Sequence, residues 1–318
     1  MQALITQLEY ELKHFDVQKE SIETLFIGGG TPSTVKPELY KPLFDLLKPY
    51  LQKEAEITSE ANPNSATSSW LEGMYALGVK RISFGVQSFN DDKLKKLGRA
   101  HSAQEAKGAL QRAKAIGYKH LSLDLIYGVD GDTKALLHHD LLEAFKLPID
   151  HLSAYALTIE EGTPFASTPD VAHEKLSLTE WFLETIQTHF KSYEISNFGD
   201  YHSQHNLGYW QYKDYIGLGS GAVGFLKDTR FYPSQDVQYY IEHPLDIKEE
   251  ALSAASIKTE KIFLGLRSII GFERALLSDL EYQRAMLLVD EQKLRLSDQR
   301  FYNDNYLLSD ELVLFIES

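Results

Sequence analysis

The residues able to do chemistry gather at a few places in this 318-residue chain. Glu60, Gln87 and Asp124 each close a short strand-like run. A lone carboxylate at such a place is ordinarily a cap or half of a salt bridge. Two carboxylates and an amide around one mouth suit the recognition of hydroxyls and amines, such as a ribose and an α-amino group. Arg99, in Leu97-Gly98-Arg99-Ala100-His101, carries a fork that can hold a carboxylate through two parallel hydrogen bonds. Gly28-Gly29-Gly30-Thr31-Pro32-Ser33 brings backbone N–H groups close to a ligand, or makes a turn that packing requires. It is not a phosphate loop, since no Gly-Lys-Ser/Thr follows and no G-x-G-x-x-G opens a helix. His205-Asn206-Leu207-Gly208-Tyr209-Trp210 sets a histidine beside flat rings. Such a set can ligate an iron porphyrin through neutral imidazole while the rings pack on the macrocycle, or can be a half-buried histidine in an aromatic core. Gly217, Gly219, Gly221 and Gly224 are only weakly similar to a dinucleotide fingerprint, and neither His138-His139 nor His173-Glu174 has a metal-ligand spacing.

These residues need a scaffold, and the pattern around them supplies one. Strand-like runs at 24–27, 55–59, 81–85, 120–125 and 151–157 alternate with helical stripes, two of which stop at Gly78 and Gly117. Strand, helix, strand at a steady interval predicts an α/β fold with a parallel sheet and right-handed crossovers. Because successive strands all end in polar or glycine residues, a partial (β/α) barrel with one functional mouth fits better than an open sheet. Glu60, Gln87 and Asp124 are then expected to converge on one cavity rimmed by the triple-glycine turn. The chain opens on a helix with Leu4, Ile5, Leu8, Leu12 and Phe15 as its apolar stripe, although no strand precedes it. Either this helix caps a barrel edge or the chain starts one strand late, leaving 24–27 as an exposed edge. The expected parts are a barrel over 1–165, an extension carrying the histidine segment over 166–235, and a small, mostly helical, winged-helix-like domain over 236–318 that serves as a lid or dock.

Composition narrows the function. A formal net charge of -14 disfavours non-specific capture of nucleic acid, so no nucleic-acid partner is expected. No apolar run is long enough to span a membrane, and the first residues lack the basic start of a signal or transit peptide, so a cytoplasmic location is expected. The absence of cysteine excludes disulfides, thiolate catalysis, zinc ribbons and thiolate-held iron–sulfur clusters from this chain.

Taken together, the glycine turn, Glu60-Ala61-Asn62-Pro63, Gly85-Val86-Gln87-Ser88-Phe89, Gly98-Arg99-Ala100-His101, Asp124-Leu125-Ile126-Tyr127-Gly128 and the His205 segment resemble the radical S-adenosylmethionine family related to oxygen-independent coproporphyrinogen III oxidase. The His-Asn-x-x-Tyr-Trp element is similar to that of the family's haem-chaperone branch. The resemblance covers nearly the whole chain. It implies a partial barrel holding a 4Fe-4S cluster and S-adenosylmethionine, followed by a C-terminal domain. It also implies that Gly29, Gly30 and Thr31 meet the methionine moiety, with Glu60, Gln87, Arg99 and Asp124 completing that site. Haem would be held by His205 on the iron with Asn206, Tyr209 and Trp210 beside it, and would pass to haem-acceptor proteins, membrane proteins among the candidates. The alternative the family offers is an oxidase acting on a porphyrinogen. The family's Cys-x-x-x-Cys-x-x-Cys after its first strand is missing, together with that strand. The expectation is that Met1 is a position inside a longer protein with both upstream, or that the cluster region has been lost from this one, and that the chain as written does no catalysis.

Overall fold

The computed structural model describes residues 1–159, 162 and 164–318. In chain order the elements begin with α1 (Gln2–His14), β1 (Ile22–Ile27), α2 (Pro37–Leu47), β2 (Leu51–Ala61), α3 (Ser68–Leu77), β3 (Arg81–Gln87), α4 (Asp91–Lys96), α5 (Ala103–Ile116), β4 (His120–Tyr127), α6 (Lys134–Phe145) and β5 (His151–Ala156). They continue with α7 (Leu176–Gln187), β6 (Asn197–Gly199), α8 (Gln204–Trp210), β7 (Gly224–Leu226), β8 (Thr229–Pro233), α9 (Val237–Glu242), β9 (Ile247–Ala251), α10 (Ala254–Leu266), β10 (Phe272–Glu273), α11 (Asp279–Asp290), β11 (Arg295–Ser297), β12 (Arg300–Tyr302) and α12 (Ser309–Glu317). The chain forms two compact units, one of 24–41 and 55–202, here called the barrel unit, and one of 1–23, 42–54 and 203–318.

The barrel unit carries a curled six-stranded sheet in the order β1 to β6, a half-barrel of the expected α/β kind. β2 through β5 pair in parallel, and β6 turns back antiparallel on β5. The helix stops behave as the sequence reads: Gly78 and Gly117 cap α3 and α5 at φ of 109° and 108°, a left-handed backbone that glycine adopts without strain. At the start of α5, Ser102 and Glu105 form a capping box. β1 lies at the sheet edge with no fully buried residue.

Parallel strands covered on both faces usually read as continuous apolar runs, but these alternate. Leu121, Leu123 and Leu125 of β4 are buried on the face that α5 and α6 pack against, while His120, Ser122 and Asp124 take the other face. β3 does the same with Ile82, Phe84 and Val86 against Arg81, Ser83 and Gly85. Register and side-chain bonds show that the polar positions share one face. Ser83 Oγ donates to Asp124 Oδ1 at 3.2 Å, and Ser122 Oγ lies 2.6 Å from His151 Nδ1 on β5. The sheet therefore packs its helices with one face and holds a polar surface on the other.

In the second unit, α1 finds a sheet after all. That sheet is β7–β8–β9, far along the chain: the Phe15 ring lies 5.2 Å from that of Phe231 on β8. Gln7, fully buried, donates to the Gly217 carbonyl at 3.0 Å and accepts from Gly219 N–H at 3.0 Å and Tyr240 Oη at 2.7 Å. Of the neighbouring glycines, Gly217 is explained by packing, since a Cβ would stand 2.2 Å from the Val223 carbonyl oxygen, and Gly219 and Gly221 by their φ of 113° and 72°. The C-terminal stretch runs helix, strand, helix, strand, strand, helix, with β10–β12–β11 antiparallel. Stacked Phe272 and Phe301 and the apolar sides of α10 and α12 make its core. The β11–β12 hairpin turns through Asp298 and Gln299 at φ of 49° and 62°, the left-handed pair that a tight two-residue turn requires. It forms the wing of a winged-helix-like arrangement.

Candidate functional site

At the carboxyl ends of β1 to β4 the expected residues come together. Gly29 and Gly30 adopt φ of 76° and 58°, and a Cβ added to either would meet nothing within 4 Å, so the turn presents bare backbone to open space. Gly29 N–H donates to Glu60 Oε2 at 3.2 Å, tying this turn to the end of β2. Asn62 reinforces the tie through its backbone N–H to Ser33 Oγ at 3.0 Å and its side-chain amide to Thr31 Oγ1 at 3.4 Å.

Gln87 ends β3 at a bulge, with φ of 68°. A side chain larger than glycine held in the left-handed region is strained, and such strain concentrates at working sites. Its amide lies over Gly85, where a Cβ would meet Gln87 Nε2 at 3.0 Å and Asn62 Oδ1 at 3.5 Å, so it shares that space with Asn62, the residue after β2. The loop after Gln87 is fastened by Asp140 of α6, which accepts from Ser88 Oγ and from Phe89 N–H at 2.6 Å. The loop that carries Arg99 is fastened by His101, whose Nε2 donates to the Val86 carbonyl at 2.9 Å, and burial holds that imidazole neutral.

Electrostatics shows the charged members of this group within reach of one another. Burial raises the Asp124 carboxyl above its ordinary range, opposed by hydrogen bonds from Ser153 and Ser83 and by the charges of Arg81 and Arg99. Glu60 is raised by burial and then by the Asp124 charge, with Gly29 N–H opposing. Burial lowers Arg99, and Asp124 opposes that shift. Two carboxyls that resist ionisation beside one guanidinium form a site that welcomes a cationic, hydroxyl-rich ligand bearing its own carboxylate.

Sequence reading missed the supporting polar face. Ser83 and Ser153 bond Asp124, and Arg81 lends it charge. Below them, His151 bridges Ser122 and Tyr193, its Nε2 2.7 Å from Tyr193 Oη. That row has the letters of a nucleophile–base pair, yet Ser122, His151 and Tyr193 are fully buried and burial keeps the imidazole neutral, so it is a floor. Glu194 was missed as well. It is buried, accepts from Ser196 N–H at 3.2 Å, and burial pushes its carboxyl up to about 7. The signal that could have found the strand residues is the period-two alternation of polar and apolar side chains in parallel strands.

His205, Asn206, Tyr209 and Trp210 all lie on α8, in the other unit. Ser203 caps the helix, accepting from Asn206 N–H at 3.3 Å. The four-residue spacing stacks His205 over Tyr209 and Asn206 over Trp210 on adjacent ridges. His205 Nε2 lies 3.0 Å from Tyr209 Oη, and the two rings meet edge to face. Leu207 is buried beneath, while the Tyr209 side chain stays exposed. The described residues hold no group of three histidine or carboxylate side chains arranged for a metal ion.

Residues 4–143 match the radical SAM superfamily. The chain is 34% identical over 272 residues to the "Heme chaperone HemW" of Bacillus subtilis, covering 80% of this chain and 72% of that one. It is 30% identical to the protein of the same name from Lactococcus lactis, with coverage of 94% and 86%. Among solved structures, coproporphyrinogen III oxidase (HemN) from Escherichia coli, a radical SAM enzyme, superposes with a TM-score of 0.80 over the whole of this chain and 82% of its own. At 18% identity that likeness speaks for the fold alone.

Proposed function

Because the chain belongs to the HemW family of the radical SAM superfamily, we propose that it is a haem chaperone, binding haem on α8 and delivering it to acceptor proteins, membrane proteins among them. The observation that carries this reading is the pairing on α8, where the His205 imidazole meets the exposed Tyr209 ring edge to face, with Nε2 3.0 Å from its hydroxyl. Haem iron would accept a neutral imidazole as a ligand. His205 would be the ligand, with Asn206, Tyr209 and Trp210 beside the macrocycle. A barrel, a haem-bearing segment and a lid or dock over 236–318 belong to the same reading, as does action in the cytoplasm.

In the barrel unit, the open glycine turn and the coupled carboxyls fit S-adenosylmethionine. Gly29, Gly30 and Thr31 would hold its methionine part, while Glu60, Gln87, Arg99 and Asp124 would take its amine, ribose and carboxylate. The 4Fe-4S cluster does not fit. Its family site needs three thiolates, and these 318 residues contain no cysteine. No radical step is therefore assigned to this chain, which leaves the porphyrinogen-oxidase alternative without support from its residues.

Transfer tests the function directly. Protein loaded with haem is mixed with an apo-haem protein, and the absorbance of the acceptor is followed. Transfer faster than from free haem, and lost with His205→Ala, is expected. Transfer at the rate of free haem would overturn the delivery role.

A further inference from the structure

Behind α8 lies a cavity of about 270 Å3, contained in the same unit. Its walls are the rings of Tyr209, Tyr212, Tyr215, Phe225 and Phe263 with Leu264. The walls are braced before any ligand arrives. Tyr209 meets Tyr215 edge to face at 4.7 Å, and Tyr212 meets Phe225 likewise at 5.0 Å. Glu260 closes one side, accepting from Tyr212 Oη and Arg230 Nη2, each at 2.6 Å. A preformed pocket costs little ordering entropy on binding, and its ring walls suit a flat apolar guest. Small-molecule sites usually run from roughly 300 to 1,000 Å3. This cavity is therefore too small for a whole macrocycle and large enough for an edge of one.

Tyr209 belongs to both features. Its ring is a cavity wall, and its hydroxyl engages the nitrogen of His205 that would reach iron. We infer that the cavity seats one apolar edge of the tetrapyrrole, and that Tyr209 couples this seat to His205, its phenol leaving Nε2 as the edge enters. The inference rests on the haem reading above. It makes grip on the ring separable from ligation of the metal, and it leaves most of the macrocycle uncovered for an acceptor to take.

Two probes separate these contributions: metal-free protoporphyrin, followed by fluorescence, and haem, followed by absorbance. They are titrated into the full chain, His205→Ala, and the cavity-filling pair Leu264→Phe and Leu264→Trp, with thermal melts to check folding. A filled pocket loses its guest's contacts, so Leu264→Trp is expected to weaken both probes about tenfold, with Leu264→Phe between it and the parent. If the larger ring prevents folding, the phenylalanine variant alone carries the comparison. His205→Ala is expected to weaken haem while leaving metal-free porphyrin within about twofold, because ligation is absent from that probe. Folded Leu264 variants that bind both probes like the parent would overturn the cavity seat even if His205→Ala still lost haem. A parent protein that bound no haem would instead sink the underlying reading.

Discussion

Glu194 shows how much one buried group can tell. Its carboxyl moves from an ordinary 4.5 up to about 7 because burial penalises the charged form. The folded state then keeps a proton that the unfolded chain has released, so this group's contribution to stability is greatest at acid pH and falls as pH rises across that window. A shift of this size is on the order of 3 kcal/mol. Denaturant midpoints measured at about pH 5 and about pH 8 should therefore lie closer together in Glu194→Gln than in the parent. An unchanged gap would show that the group is not held neutral. Asp124 makes a different test. Ser83 and Ser153 aim at it, and Glu60 and Arg99 feel its charge. Asp124→Asn keeps the shape but removes an acceptor of positive charge, and should weaken S-adenosylmethionine by about tenfold in calorimetry. Equal affinities would detach Asp124 from that ligand.

Elements explain what the residue letters hide. The glycine stops of α3 and α5 and the polar strand ends were legible because turn and cap chemistry is local. The polar face of β3 to β5 is written in the alternation of its strands, but parallel strands are expected to be apolar throughout, and only the neighbouring strand shows that the polar sides coincide. The helix that opens the chain was legible as amphipathic, yet its partners, Gly217, Gly219 and Tyr240, come from the far end of the sequence. Gln7 satisfies all three at once. Replacing it with leucine keeps the volume but leaves buried donors and an acceptor without partners, and should cost about 2 kcal/mol or more. A midpoint shift in chemical denaturation equivalent to under about 0.5 kcal/mol would mean that water takes the glutamine's place.

At the scale of the whole molecule the division of labour follows from what each unit holds. The barrel unit has an open glycine turn, coupled carboxyls and a strained Gln87, the equipment for a small cofactor. The other unit has a surface helix with an imidazole and rings, and an acidic winged-helix-like end. On the haem reading, a cargo needs a grip that can be released, and a single half-buried imidazole on α8 would provide that where a fully enclosing pocket would not. On that reading, binding on α8 calls on His205 and its neighbouring rings and not on thiolates, of which these 318 residues have none. Haem titrated into the purified, cluster-free protein therefore decides whether His205 holds haem. A saturable Soret band is expected from the parent, with affinity falling at least about tenfold in folded His205→Ala. Equal spectra and equal affinities in the two proteins would contradict it.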